Sequence, residues 1–127
     1  MKIKIGILLA VLLGSVLVVL AFGQYEMQVV ENYYFPNPQR PPAVFEHDRH
    51  NETAELWDCM ICHHVYDEQG VQSDWESSED QACADCHGLE DQGGMPGLRK
   101  AFHQSCKGCH LTERKGPVTC AECHVKP

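Results

Sequence analysis

The chain has 127 residues, among them eight cysteines, and its 18 acidic and ten basic side chains give a formal net charge of −8. A chain of this length forms one domain with a small core, so it depends on cross-links, metals or cofactors for stability. The acidic balance argues against nucleic acid as a partner, because such a surface needs an excess of positive charge.

The N-terminus has the pattern of an export signal. Lys2 and Lys4 precede an almost unbroken apolar run over residues 5–22, and Ala21-Phe22-Gly23 offers small residues at the positions that a signal peptidase prefers. The run is longer than the usual core of a signal and close to the lower limit for a membrane span. Residues 1–23 are therefore predicted to be a signal peptide or, as the alternative, an uncleaved membrane anchor. Residues 24–127 are predicted to be one exported domain.

Two short strands are predicted after the leader. Residues 25–30 and residues 43–45 are apolar enough to pair as a two-stranded sheet. The prolines between them enforce an extended, non-helical connection. They are Pro36, Pro38, Pro41 and Pro42.

Short helices and turns are predicted for the middle of the chain. Residues 58–66 predict a short helix, and the acidic residues 68–80 predict a solvated loop. Ser77 or Ser78 is a candidate cap for a second short helix.

The C-terminal part holds the best helix candidate, residues 98–110, after a glycine-rich turn at residues 93–97. Aliphatic residues are sparse after position 65, and no helical or strand pattern runs for long. The predicted fold class is therefore small, α+β and largely irregular.

All eight cysteines fall into four Cys-x-x-Cys pairs, each followed at once by a histidine. The pairs and their histidines are Cys59/Cys62 with His63, Cys83/Cys86 with His87, Cys106/Cys109 with His110, and Cys120/Cys123 with His124. Cys-x-x-Cys-His is a c-type haem attachment signal, in which both sulfurs bind the porphyrin and the histidine is the proximal iron ligand. Zinc sites and a disulfide framework are the alternatives. Neither explains a histidine after every pair, so four covalently bound haem c groups are predicted.

Four further histidines remain once the proximal ligands are assigned, namely His47, His50, His64 and His103. Four haem irons need four distal ligands, so the number of remaining histidines equals the number of distal ligands needed. Met95 is the competing distal ligand, and ordinary surface histidines are the other alternative. Coordination of every iron by two histidines is the favoured interpretation, and no open position for substrate then remains.

The segment Phe45-Glu46-His47-Asp48-Arg49-His50, followed by Cys59-Met60-Ile61-Cys62-His63-His64, resembles class III cytochromes c, in particular the tetrahaem cytochrome c3 group. The resemblance implies that His47 is the distal ligand opposite His63, His64 opposite His87, His50 opposite His110 and His103 opposite His124. All four motifs have the short spacing, and His103 lies only three residues before Cys106. Both features depart from well-known single-domain members of the group.

The resemblance further implies a domain whose core consists of four low-potential haems and which carries electrons in the periplasm during anaerobic respiration, without being an enzyme. The implied partners are redox proteins: a periplasmic hydrogenase, another multihaem cytochrome or a membrane-bound redox complex. Residues 24–82 hold 13 acidic side chains and two arginines, a balance of −11, while residues 83–127 have a balance of +1. This acidity is similar to that of the type II subgroup, which is associated with membrane redox complexes. A fixed electron-conduit subunit and a multihaem reductase are the alternative functions.

Overall fold

The computed structural model describes residues 27–126 of the chain. The predicted leader at residues 1–23, the first two residues of the predicted strand 25–30 and the last residue lie outside them. Strands β1 (Val29–Val30) and β2 (Ala43–Val44) pair antiparallel, with Val29 opposite Val44. The predicted two-stranded sheet is confirmed, with shorter strands than expected.

Backbone pairing continues past the sheet as far as the first helix. The Phe45 N–H donates to the Gln28 carbonyl at 3.0 Å, and the His47 N–H donates to the Met27 carbonyl at 3.1 Å. Helix α1 (His47–Ala54) therefore begins directly at the end of the sheet. Since residues three apart lie on the same side of a helix, His47 and His50 leave α1 in similar directions.

The connection between the strands is non-helical, as its prolines predict. It consists of bends and one turn, in which the Phe35 N–H donates to the Asn32 carbonyl at 3.1 Å. The last part of this connection brings Pro41 back to the C-terminal end of the domain, where its carbonyl contacts the ring of His124.

The prediction of a helix over residues 58–66 is wrong, because only one 3₁₀ turn forms there, at Cys59–Ile61. The chain then leaves the helical path to pair with the acidic loop that follows. The Ser73 N–H donates to the Val65 carbonyl at 2.8 Å, and the Ser78 N–H donates to the His63 carbonyl at 3.1 Å. These longer-range bonds compete with the local helical pattern.

The predicted serine cap is also wrong. Helix α2 (Cys83–Cys86) begins after Ala82, and the Ser78 hydroxyl donates to the His64 carbonyl at 3.2 Å instead.

The C-terminal helix predicted over residues 98–110 is confirmed and extends further. It comprises α3 (Leu98–Phe102), a π-helical segment (His103–Lys107) and α4 (Gly108–Glu113), and it ends where Arg114 adopts the left-handed conformation with φ of 55°. Its start is fixed by Asp91, whose carboxylate accepts the Gly97 N–H at 2.7 Å. A short helix α5 (Cys120–Cys123) completes the described part of the chain.

Leu98, at 1% exposure, is the one hydrophobic side chain that is buried among residues 27–126. Large apolar side chains such as Trp57 and Trp75 are about four-fifths exposed, at 79% and 80%. The expectation that the polypeptide builds little core by itself is therefore met. Across the same residues, the structure has no helix with the length and apolar character needed to cross a bilayer.

Candidate haem sites

Three of the four Cys-x-x-Cys-His segments share one backbone turn. In each of them the histidine N–H donates to the carbonyl of the first cysteine, at 2.8 Å for His63, 2.8 Å for His87 and 2.9 Å for His124. Such a turn sets the two sulfurs and the histidine close together in space. Six of the eight cysteines are exposed, and Cys109 and Cys123 are half-buried. The sulfurs are accessible to a large planar group.

Acidic residues start these turns, and they were missed by the sequence analysis. The Asp85 carboxylate accepts the Ala82 N–H at 2.8 Å, and the Glu122 carboxylate accepts the Thr119 N–H at 2.8 Å. Both acids occupy the second x of Cys-Ala-x-Cys-His, so a recurring acid at that position was the available signal. The Thr119 hydroxyl, followed by the backbone N–H groups of Thr119 and Val118, holds the pKa of Glu122 below its usual value.

The first segment uses a different cap. The Asp58 carboxylate accepts the Met60 N–H at 3.0 Å and so starts the 3₁₀ turn at the first cysteine. The third segment needs no separate cap, because Cys106, Cys109 and His110 lie within the continuous helix from Leu98 to Glu113.

The structure brings the eight histidines together as four pairs. The ring centroids are 6.3 Å apart for His47 and His63, 6.0 Å for His64 and His87, 6.1 Å for His50 and His110, and 6.4 Å for His103 and His124. Each pair joins the histidine of a Cys-x-x-Cys-His segment to one of the other four histidines. These are the pairs that the resemblance implied. Met95 lies in a turn, paired through its backbone with Gln92, and stands outside these pairs.

The separation within the pairs fits two imidazoles on opposite sides of one iron atom. An imidazole nitrogen binds a transition metal at about 2 Å and lies roughly 1 Å from its ring centroid, so two such rings are about 6 Å apart. The observed range of 6.0–6.4 Å agrees with this value. The donor set therefore fits a haem iron with two axial histidines.

Hydrogen bonds at Nδ1 fix the rings of three histidines that follow a cysteine pair. His87 Nδ1 lies 2.9 Å from the Pro96 carbonyl, His110 Nδ1 2.7 Å from the Pro117 carbonyl, and His124 Nδ1 2.8 Å from the Pro41 carbonyl. A carbonyl accepts only, so Nδ1 carries the proton and Nε2 keeps its lone pair for a metal.

The histidines of α1 are held by side chains instead. His47 Nδ1 lies 2.7 Å from an Asp48 carboxylate oxygen. Asn51 lies 3.4 Å from His50 Nδ1 through its amide oxygen and 3.4 Å from His47 Nε2 through its amide nitrogen. The α1 side chains therefore orient both rings of the helix.

Local electrostatics favours neutral rings at two of the four other histidines. Burial, followed by the neighbouring His87 and His63, lowers the pKa of His64. Burial, followed by His124 and the cations Arg99 and Lys107, lowers the pKa of His103. Neutral imidazole is the form that binds a metal.

The alternative sites predicted from the cysteines find no support in the geometry. All eight cysteines are unbridged. Within residues 27–126, no three or more histidine, cysteine or acidic side chains converge as metal ligands.

Comparison with known proteins places the chain in a family. A model described as the class III cytochrome C family matches residues 24–124. The chain is 36% identical over 93 residues to the cytochrome c3 of Desulfovibrio desulfuricans, which covers 68% of this chain and 81% of that protein. It is 42% identical over 45 residues to the cytochrome c7 of Geobacter metallireducens, covering 35% of this chain and 49% of that protein.

A larger relative matches as well. The chain is 39% identical over 72 residues to the high-molecular-weight cytochrome c of Nitratidesulfovibrio vulgaris, covering 53% of this chain but only 13% of that protein. The crystal structure of a high-molecular-weight cytochrome c from Desulfovibrio vulgaris (Miyazaki F), solved in the presence of zinc ion, aligns with 84% of this chain and 21% of its own, at a TM-score of 0.44 and 27% identity. On its sequence motifs and the match over residues 24–124, the chain belongs to the class III cytochrome c family, whose members are haem-binding electron carriers.

Proposed function

We propose that this chain holds four covalently bound haem c groups and transfers electrons between redox proteins outside the cytoplasm. The proposed axial ligands are His63 and His47 for the first haem, His87 and His64 for the second, His110 and His50 for the third, and His124 and His103 for the fourth. Two thioethers from the cysteines of each motif attach the porphyrin, at Cys59 and Cys62, Cys83 and Cys86, Cys106 and Cys109, and Cys120 and Cys123.

The observation that carries this proposal is the set of four histidine pairs. Eight histidines are available, and every one has its ring 6.0–6.4 Å from the ring of one proposed partner. A haem iron supplies reversible one-electron transfer between its ferric and ferrous states. The protein's part is to hold both axial imidazoles, to orient five of the eight through Nδ1 contacts and to exclude other ligands from the iron.

Ligand binding to the reduced protein tests the proposal. Intact mass and a haem stain are expected to report four haems per chain. With both axial positions filled, the reduced protein is expected to bind no carbon monoxide. The variant His47→Ala, which opens one position, is expected to bind one equivalent. High-spin absorption or carbon monoxide binding by the unaltered protein would overturn the proposal and support the multihaem reductase.

The charge distribution supports a basic docking partner for the acidic half of the chain. Acidic side chains dominate residues 24–82, with a balance of −11, and Asp48, Glu52 and Glu55 lie on or beside the ligand helix α1. Opposite charges on two proteins speed their association and make its rate depend on salt. We therefore propose a basic redox protein as partner for this half. A periplasmic hydrogenase, another multihaem cytochrome or a membrane-bound redox complex would each qualify.

Stopped-flow oxidation of the reduced protein by a small basic c-type cytochrome of higher potential, used as a probe, tests this partner chemistry. The rate is expected to fall about tenfold or more between 10 and 200 mM salt, because screening removes the attraction. A rate that is independent of salt, or that rises with it, would count against docking through the acidic half.

The proposed location is the periplasm. A cleaved export signal would direct the chain there, and covalent haem attachment takes place outside the cytoplasm. N-terminal sequencing of the purified protein tests whether residues 1–23 are removed. An intact leader would favour the alternative of a fixed electron-conduit subunit attached to the membrane through residues 5–22.

A further inference from the structure

The helix that carries the third haem motif is interrupted by a π turn. In the segment His103–Lys107, the Gly108 N–H donates to the His103 carbonyl five residues earlier, where an α-helix would use a spacing of four. The flanking residues Phe102 and Gly108 keep helical backbone angles, with φ and ψ of −55° and −48° and of −60° and −48°. The helix is therefore continuous through the π turn.

The π turn changes the direction in which two histidines face. His103 and His110 are seven residues apart, and in an unbroken α-helix such residues face the same side, because seven residues fall only about 20° short of two full turns. A π turn takes in one extra residue. The seven residues then span the rotation of six, which places the two side chains roughly 120° apart.

The histidine pairs show this divergence directly. His103 faces His124, just after α5, whereas His110 faces His50 on α1. One continuous helix thus presents two histidines to two different elements of the domain. Both flanking parts are anchored, since Leu98 is buried at the start and the His110 ring is bonded to Pro117 at the end.

We propose that the π turn is a positioning device that lets one helix serve two haems, which rests on the proposed function above. It aims His103 at the iron of the fourth haem while Cys106, Cys109 and His110 hold the third. Within the turn, Gln104 is exposed and is not a proposed ligand, so we assign it as the extra residue. Its neighbour Ser105 is half-buried.

Deletion of Gln104 tests the proposal, because removing the extra residue of a π turn restores an α-helix without rotating the two flanking parts. The deletion variant is expected to keep four low-spin haems and to bind no carbon monoxide when reduced, although the deletion is adjacent to a ligand. The reference variant His103→Ala is expected to bind one equivalent. One equivalent bound by the deletion variant would overturn the proposal, because His103 would then have been turned away from the fourth iron.

A second measurement decides the matter if the deletion variant does not accumulate with four haems. In the unaltered holoprotein, NMR coupling across the hydrogen bond from the Gly108 N–H to the His103 carbonyl is expected. Coupling from the Lys107 N–H to that carbonyl would show an ordinary α-helix and would overturn the proposal. Failure of the ligand assignment itself is distinguishable, because the unaltered protein would then already bind carbon monoxide.

Discussion

A single glycine fixes the position of the His110 ring. Gly116 has φ of +80°, and a Cβ at this position would lie 2.7–2.9 Å from three ring atoms of His110. The next residue, Pro117, accepts the ring Nδ1–H at 2.7 Å. The turn at residues 116–117 therefore leaves no room for a side chain beside the imidazole, and its Pro117 carbonyl orients the ring.

We predict that Gly116→Ala destabilises the protein and perturbs the third haem. The left-handed backbone costs an alanine about 1–2 kcal/mol, and displacement of the ring adds to this cost. Gly70→Ala is the matched control, because Gly70 has φ of +77° but no atom within 4 Å of the added Cβ. Denaturant unfolding and the potential of each haem would be measured. Equal losses of stability in the two variants, with unchanged potentials, would show that the ring contact has no effect.

The sequence predicted the candidate ligands from their residue types far better than it predicted the groups that surround them. Histidines and cysteines are few and fall in fixed spacings, so the inventory and the family resemblance together indicated which histidines would meet. The acceptors that orient the rings were not predictable in this way. They are backbone carbonyls of Pro41, Pro96 and Pro117, and any residue has a carbonyl. Their role depends on how distant segments come together.

At the scale of elements, the helix from Leu98 to Glu113 depends on one carboxylate for its start. Asp91 accepts the Gly97 N–H at 2.7 Å and the Lys100 ammonium at 2.8 Å. The bond from Gly97, followed by that from Lys100, holds the pKa of Asp91 below its usual value. The same contacts join the loop before the helix to its first turn.

We predict that Asp91→Asn lowers the unfolding midpoint at pH 7 and that the effect disappears in acid. The folded pKa of Asp91 is depressed, so its stabilisation is complete above the unfolded pKa of about 3.9 and is lost as the pH falls through the folded pKa. Thermal unfolding at pH 7 and at stepwise lower pH would measure this. Glu90→Gln, one residue earlier, is the control for loss of a negative charge. A deficit that persists unchanged at the lowest pH would contradict the electrostatic account.

Local patterns predicted elements well where no distant partner competes with them. The helix after the glycine-rich turn was predicted because that turn is a clear breaker before it. The helix expected over residues 58–66 shrank to the turn Cys59–Ile61, because the acidic loop bonds back onto the carbonyls of His63 and Val65. Such pairing, across eight residues to Val65 and fifteen to His63, has no local signature. The π turn was missed for the same reason. The spacing of His103 and His110 has a meaning only once their partners, His124 and His50, are known.

At the scale of the whole molecule, the proposed haems are expected to act as the core. Leu98 is the sole buried hydrophobic side chain between residues 27 and 126, so apolar contacts within the polypeptide stabilise it little. Covalent haems would supply both apolar area and cross-links between distant segments, such as His64 and His87 at the second site.

We predict that loss of one haem destabilises the entire domain. The double variant Cys83→Ala with Cys86→Ala is expected to lose the second haem. Its free energy of unfolding is expected to fall by about 2–5 kcal/mol, the loss typical when a native disulfide cross-link is removed from a small domain. The single variant Cys86→Ala keeps one thioether and serves as control. Thermal unfolding with a haem count would measure both. Equal stability of the two variants would contradict a core built from haem.

Shared backbone elements also set the order in which the proposed haems neighbour one another. His63 and His64 are adjacent in sequence and link the first site to the second. His47 and His50 lie on α1 and link the first site to the third. His103 and His110 lie on one helix and link the third site to the fourth. The connectivity is therefore a linear relay from the second site through the first and third to the fourth.

We predict that this relay is visible in how the haems influence one another's potentials. Reducing one iron changes its charge, and the Coulomb effect on a neighbour weakens with distance. An NMR-monitored redox titration resolves all pairwise interactions among four haems. The pairs linked by shared elements are expected to interact most strongly, and the second and fourth haems, at the two ends, most weakly. A stronger interaction between the two end haems than within any linked pair would show that the backbone links do not order the relay.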